Sequence, residues 1–166
     1  LYAQLRSSGD AGLPITTVEG SQVSAAIENP YKGLRAFQEA DAADFFGRDD
    51  LVARLLDRLA DGGAFGRFLA VVGPSGSGKS SVVKAGLLPA LRQGSLPGSE
   101  HWVITEIMPG TNPLDELEIA FARLLGGPSS DLATLLRRDV RGLFRAARMA
   151  LPDKQAELLL VIDQFE

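Results

Sequence analysis

Gly73-Pro74-Ser75-Gly76-Ser77-Gly78-Lys79-Ser80 matches the pattern GxxxxGK[ST] at every fixed position, and no other stretch restricts the possible folds as tightly. Glycines at 73, 76 and 78 permit backbone conformations that turn successive N–H groups inward, toward a polyphosphate held at a helix N-terminus. The pattern requires a strand before it and a helix after it. Phe68 to Val72 is a short apolar run of strand type. From Ser81 onward Val82, Val83, Ala85, Leu87, Leu88 and Leu91 read as a mostly apolar helix, which Pro89 kinks or shortens. In such a cradle Lys79 reaches the β- and γ-phosphates of ATP, or the β-phosphate of ADP, and Ser80 places its hydroxyl on Mg²⁺. Pro74, Ser75 and Ser77 fill tolerant positions of the loop, and Ser81 completes the nucleotide-binding set at the first helical turn. The bland alternative is a glycine-rich turn that happens to carry a lysine.

Leu158 to Ile162 (LLLVI) is an unbroken apolar run, as expected of a strand buried on both faces, and Asp163 follows it directly. The C-terminal end of such a strand is where an α/β sheet presents its ligands, so Asp163 is placed to hold the Mg²⁺ shell opposite Ser80. Taken by itself, an acidic residue ending a buried strand is common. Many P-loop ATPases carry a glutamate directly after the metal aspartate, whereas this chain has Gln164 there. Gln164 orients a water without deprotonating it, and Glu166 becomes the candidate base if the turn returns it toward the γ-phosphate. Lys79, Asp163 and Glu166 are therefore the candidate catalytic groups, and slow hydrolysis is expected.

Residues 1–28 are rich in Gly, Ser, Thr and Ala and lack periodicity, so they read as a linker or the end of an upstream domain. The folded part, 29–166, opens at Asn29 with a short helix around Glu39 to Phe45. An amphipathic helix from Asp49 to Ala60 follows, with Leu51, Val52, Leu55, Leu56 and Leu59 on one face and Gly62-Gly63 as its stop. Trp102 to Ile107 reads as a strand. Asn112 as cap and Pro113 at the first position start a further helix that ends at Gly126-Gly127-Pro128. Asp131 to Ala150 reads as one last helix, with Leu132, Leu135, Leu136, Leu143, Phe144 and Ala147 as its apolar stripe. Arg137, Arg141, Arg145 and Arg148 form a second stripe, read as a solvated row or a partner-binding face. The alternation of strand and helix is that of an α/β parallel sheet flanked by helices. The chain begins at Leu1 and stops at Glu166 just after a strand-like run, the pattern expected of a fragment truncated after its acidic strand.

Composition excludes several classes of function. A net charge of −4 offers no general attraction to nucleic acid or an anionic membrane. No run is long and apolar enough for a transmembrane helix, and the first residues given lack a basic segment followed by a hydrophobic core, so a cytoplasmic location is expected. The absence of cysteine rules out disulfides and thiolate metal sites.

Five ordered blocks carry a more specific signal: NPYKGLRAF (29–37), DAADFFGRDD (41–50), FLAVVGPSGSGKSSVVKAGLLPAL (68–91), MPGTNPLDEL (108–117) and LLLVIDQFE (158–166). Together they resemble the bacterial STAND group of signal-transduction NTPases, in particular the branch often joined to C-terminal WD repeats. The resemblance implies a P-loop NTPase fold of the ASCE/STAND type and makes Gly47 and Arg48 candidate base or ribose contacts, since relatives place a Gly-Arg-acidic segment beside the nucleotide. It also implies a switch that rests with ADP, takes up ATP when C-terminal sensor repeats are engaged, assembles into a homo-oligomer and activates an N-terminal effector. In relatives a later strand sits between the Walker A and Walker B strands, so residues 1–166 alone are expected to be poorly stable. A fast-turnover ATPase or kinase, or a nucleotide-binding scaffold without turnover, stays open as the alternative; the LSGGQ signature of transport ATPases is absent.

Overall fold

A computed structural model describes residues 33, 35–61, 68–153 and 156–165 of the chain. The expected linker 1–28, the glycines at 62–63 and the candidate base Glu166 lie outside the described residues.

The amphipathic pattern after Gly47 becomes helix α1, Asp49–Ala60, with the bounds expected of it. Leu55 is its buried residue, and Leu51, Val52, Leu56 and Leu59 pack beside it against the core. A 3₁₀ turn, Glu39–Asp44, precedes α1. Its neighbours Phe37 and Phe45 set their rings 5.7 Å apart in a tilted pair.

Helix α2 runs without a break through α-helical Lys79–Ser81, π-helical Val82–Leu87 and α-helical Leu88–Arg92. Pro89 does not end it: the helix runs on for three residues to Arg92. Proline has no N–H to bond the carbonyl four residues back, and its ring crowds that carbonyl. The wider turn ahead of it removes the conflict: the N–H of Leu88 bonds the carbonyl of Val83, five residues back. Beyond the helix, Ser99 Oγ donates to the carbonyl of Leu91 at 2.7 Å and satisfies one of the groups that a helix end leaves unpaired.

Strands β1, Val103–Ile107, and β2, Leu158–Ile162, pair in parallel with Val103 opposite Leu158 and Ile107 opposite Ile162. Ile104, Leu159 and Val161 turn one face of this two-stranded sheet toward Val82, Leu87, Leu88 and Leu91 of α2. Leu158 alternates to the opposite face and packs against Phe121, Leu132 and Ala146. The architecture is thus mixed α/β with a small parallel sheet. Two expectations need correction. β2 is half-buried rather than buried on both faces, with Ile162 45% exposed, because β1 covers one of its edges and no described strand covers the other. Phe68 to Val72 forms no ladder either. Leu69 and Val71 pack inward while Phe68 and Val72 face solvent, which is the alternation of a strand without the backbone pairing.

Between the strands stand α3, Pro113–Leu125, α4, Ser130–Arg138, and α5, Gly142–Ala150. Asn112 occupies the cap position of α3, yet it is its carbonyl that accepts the N–H groups of Asp115 and Glu116, at 3.0 and 3.3 Å. The single helix expected over 131–150 is two helices. Asp139 breaks it: its Oδ1 accepts the N–H of Arg141 at 2.8 Å and its carbonyl accepts the N–H of Gly142 at the same distance. Gly142 lets the returning chain pass the carbonyl of Leu135, where a Cβ would come within 2.0 Å. The break shifts the helical phase, so Leu143 and Phe144 are exposed and Ala146 takes the buried place. It also divides the arginine stripe. Arg137 pairs with Asp115 on α3, and Arg145 pairs with Asp139 at 2.6 Å.

Gly86 marks the tightest approach of α2 to its neighbours, since a Cβ there would meet Val52 Cγ2 at 2.6 Å and Phe45 Cε1 at 3.3 Å. Alanine at this position gains about 1 kcal/mol of helix propensity but incurs about 1–3 kcal/mol of overpacking against a stiff, β-branched neighbour. Gly86→Ala is therefore expected to lower the urea midpoint, and adding Val52→Ala is expected to cost less than the two separate changes together.

Candidate functional site

The phosphate loop is built on its glycines. Gly76 and Gly78 sit in the left-handed region, at φ +74° and +86°, which a side chain would strain. The N–H of Ser77 bonds the carbonyl of Pro74 at 3.2 Å and closes the turn, and Gly78 caps α2. At Gly73 a Cβ would meet Ser77 Oγ at 3.1 Å, so the loop closes tightly on itself there. Lys79 folds back over it: its ammonium donates to the carbonyls of Gly73 and Pro74, both at 2.9 Å.

The first turn of α2 holds two hydroxyls facing different partners. Ser81 Oγ accepts the N–H of Phe37 at 3.1 Å, which fastens the segment before the 3₁₀ turn to the start of the helix. Ser80 Oγ donates to Asp163 Oδ1 at 2.7 Å, across 83 residues of sequence. The ladder aims Asp163 there, because its N–H bonds the carbonyl of Ile107 at 2.9 Å and so extends the pairing of β2 with β1. Ser80 and Asp163, singled out by pattern, therefore stand together. A hydroxyl that donates to a carboxylate keeps its lone pairs, so the two present hard oxygen donors to one point. No group of three or more His, Cys, Asp and Glu stands ready for a metal among the described residues. That suits Mg²⁺ arriving with phosphate and water ligands of its own better than a cation caged by protein alone.

Lys84 was not among the residues that the sequence singled out. Its side chain is 8% exposed, with the ammonium 3.1 Å from Asp163 Oδ2 and 3.0 Å from Glu106 Oε2. The available signal was a lone lysine inside an apolar helical run, VVKAGLL. Burial disfavours the charge on Asp163, but hydrogen bonds from Ser80 and Lys84, with the lysine's charge, outweigh it and hold the carboxyl below its ordinary value of 3.8. Burial likewise opposes the charge of Lys84, and its bonds to Glu106 and Asp163 outweigh that and raise it above 10.5.

Gly47 and Arg48 are not drawn into this cluster among the described residues, whereas Gln164 bonds it through its backbone. Gly47 adopts φ +74° and turns the chain into α1, and Arg48 stands at the cap of α1, its carbonyl accepting the N–H groups of Leu51 and Val52 at 3.0 Å. No hydrogen bond or ion pair joins Arg48 to the phosphate loop among the described residues. Gln164 follows Asp163 in a left-handed conformation, φ +56°, and donates its N–H to Asp163 Oδ1 at 3.0 Å. Pro74 and Ser75 are exposed on the loop. The hollow along α4 and the connection that follows it, lined by Leu135, Arg138, Asp139 and Arg141, shares no residue with the site.

The sign of the pH dependence follows from the shifts. Asp163 is depressed, so its contribution to stability is present above 3.8 and disappears as pH falls through its lowered folded value. Lys84 is raised, so its contribution is present below 10.5 and disappears as pH rises through its raised folded value. The stability difference between the protein and its Lys84→Met form is expected to stay flat from about pH 5 to pH 9 and to shrink beyond both ends, as read from urea midpoints at each pH.

A family model described as novel STAND NTPase 1 matches residues 30–166. No curated protein and no solved structure matches the chain. The family match spans the phosphate loop, both strands and Asp163 alike, and the chain belongs to the novel STAND NTPase 1 family.

Proposed function

We propose that the chain is the Walker A and Walker B part of a nucleotide-dependent switch that binds ATP or ADP with Mg²⁺ and hydrolyses ATP slowly. The observation that carries this reading is the hydrogen bond from Ser80 Oγ to Asp163 Oδ1 at 2.7 Å, which brings together, across 83 residues of sequence, the two groups proposed to hold magnesium. Family membership supports a nucleotide-binding regulatory module.

Each residue has a defined task in this reading. Gly76 and Gly78 hold the loop open to phosphate oxygens, and Ser81 stands at the head of the helix whose dipole favours them. Lys79 exchanges the carbonyls of Gly73 and Pro74 for the β- and γ-phosphates, trading two neutral acceptors for anionic ones. Ser80 and Asp163 hold the magnesium, which when bound neutralises charge on the phosphates. Gln164 holds the attacking water without accepting its proton, and general-base catalysis of that step is worth about 10²–10⁴-fold. A site with an amide there turns over slowly and keeps its product. Glu166 would restore a base if it reaches the γ-phosphate. Gly47 and Arg48 are proposed to line the base or ribose. In the whole protein the switch would work in the cytoplasm, between an N-terminal effector and C-terminal sensor repeats of WD type, and would assemble with copies of itself when ATP replaces ADP.

The deciding experiment uses the full-length protein. Denaturing it and separating what it releases is expected to give near-stoichiometric ADP, with steady-state turnover below the roughly 1–100 per second of a working kinase or ATPase. An empty site with turnover in that range would overturn the switch in favour of an enzyme. Lys79→Ala is expected to abolish retention of the nucleotide.

A further inference from the structure

We propose that Lys84 is a positioning residue of the nucleotide site: held by Glu106, its ammonium clamps one oxygen of Asp163 so that the other stays on Ser80, where magnesium is bound. The proposal rests on the magnesium–nucleotide reading of this site and adds to it a residue from the middle of α2 and another from the neighbouring strand.

The geometry divides the carboxylate between two donors of one helix. Ser80 and Lys84 are four residues apart and lie on the same face of α2. The hydroxyl of Ser80 reaches Oδ1 at 2.7 Å, and the ammonium of Lys84 reaches Oδ2 at 3.1 Å. With both oxygens engaged, the carboxyl group of Asp163 cannot rotate without breaking a charge-assisted bond. The second contact of Lys84, to Glu106 at 3.0 Å, fixes the ammonium from the opposite side. Glu106 stands next to the C-terminal end of β1, which adjoins β2 in the sheet, so the clamp spans helix and both strands.

Packing alone gives no reason for a lysine here. The neighbours of Lys84 on α2, Val82, Ala85, Leu87 and Leu88, are apolar and buried, and an apolar side chain of similar length would fill the same space without desolvating an ammonium. Nor does Glu106 need the lysine, since its side chain is 37% exposed and water reaches it. Asp163 is different: its side chain is 14% exposed, and among the described residues Lys84 is the cation that meets it. The ammonium is therefore placed for the carboxylate that faces the phosphate loop. Outer-shell partners of this kind typically change metal affinity by about 10–100-fold when removed.

The test is the gain in ADP affinity on adding magnesium, measured on the full-length protein with a fluorescent ADP analogue titrated in Mg²⁺ and in EDTA. Lys84→Met is expected to reduce that magnesium-dependent gain by about 10–100-fold while the affinity in EDTA stays within about threefold, and Lys84→Arg is expected to recover most of it. A helper with only a packing role would lower both affinities alike. If Lys84→Met does not fold, the double change Lys84→Met with Glu106→Gln takes away one of the two carboxylates that would otherwise repel each other across the lysine's place. The proposal expects the magnesium gain to stay lost in that folded double variant, and its recovery there would overturn the proposal. A wild-type protein that gains nothing from magnesium would overturn the reading of the site itself. A wild type that gains and a Lys84→Met form that gains equally would overturn the role of Lys84 alone.

Discussion

Helix α2 must satisfy two opposed demands within 14 residues, and the rest of the structure is arranged around how it does so. In the proposed reading its first turn has to stay open, because backbone N–H groups at a helix N-terminus are useful to an anion only when nothing else covers them. Everything after that turn has to be buried, because a helix this apolar is stable only against a core. The division falls near Val82. Before it stand Lys79, Ser80 and Ser81 with polar partners; after it Val82, Ala85, Leu87, Leu88 and Leu91 are buried among α1, the 3₁₀ turn and one face of the sheet. The π-helical segment lies in this buried part, where packing holds a geometry that an isolated helix would not keep.

The two lysines of this helix illustrate how position sets the use of one chemical group. Lys79, on the open turn, rests on two carbonyls of its own loop, which are neutral acceptors that a phosphate readily replaces. Lys84, five residues later, sits between two carboxylates and is shielded from solvent. The first ammonium is held by neutral acceptors alone, as the proposed ligand role needs; the second is committed to the protein's own carboxylates. Neither assignment follows from lysine itself, only from the depth at which the helix carries it.

What could be read from the sequence was local. The phosphate loop was legible because its glycines answer to backbone conformation, which a few adjacent residues decide, and Gly76 and Gly78 adopt the left-handed conformations it requires. The bounds of α1 and the start of α3 at Pro113 were legible for the same reason. Asp163 was legible because strand polarity alone puts a residue after an apolar run at the ligand edge of the sheet. Nonlocal outcomes were not. The break at Asp139 hides inside an amphipathic pattern that continues across it, and only the return of Gly142 past the Leu135 carbonyl reveals it. Phe68 to Val72 reads as a strand because it is a short apolar run, but a ladder depends on a partner elsewhere in the chain. Lys84 was missed because its partners, Glu106 and Asp163, are distant in sequence and the residue itself looks like an interruption of a hydrophobic stripe. Gly47 and Arg48 drew attention by resemblance, and the structure gives them a local task at the start of α1.

The span between Ser80 and Asp163 has a consequence for how the protein comes into being. At about 5–20 residues per second, a ribosome needs roughly 4–17 s to make the 83 residues that separate them. Throughout that interval the nascent chain carries the phosphate loop, its helix and, early on, Glu106, but not the Asp163 carboxylate that Ser80 and Lys84 share. Half of the site is thus old and half is new at the moment they join, so the Ser80–Asp163 contact reports that the intervening helices and both strands have found their places.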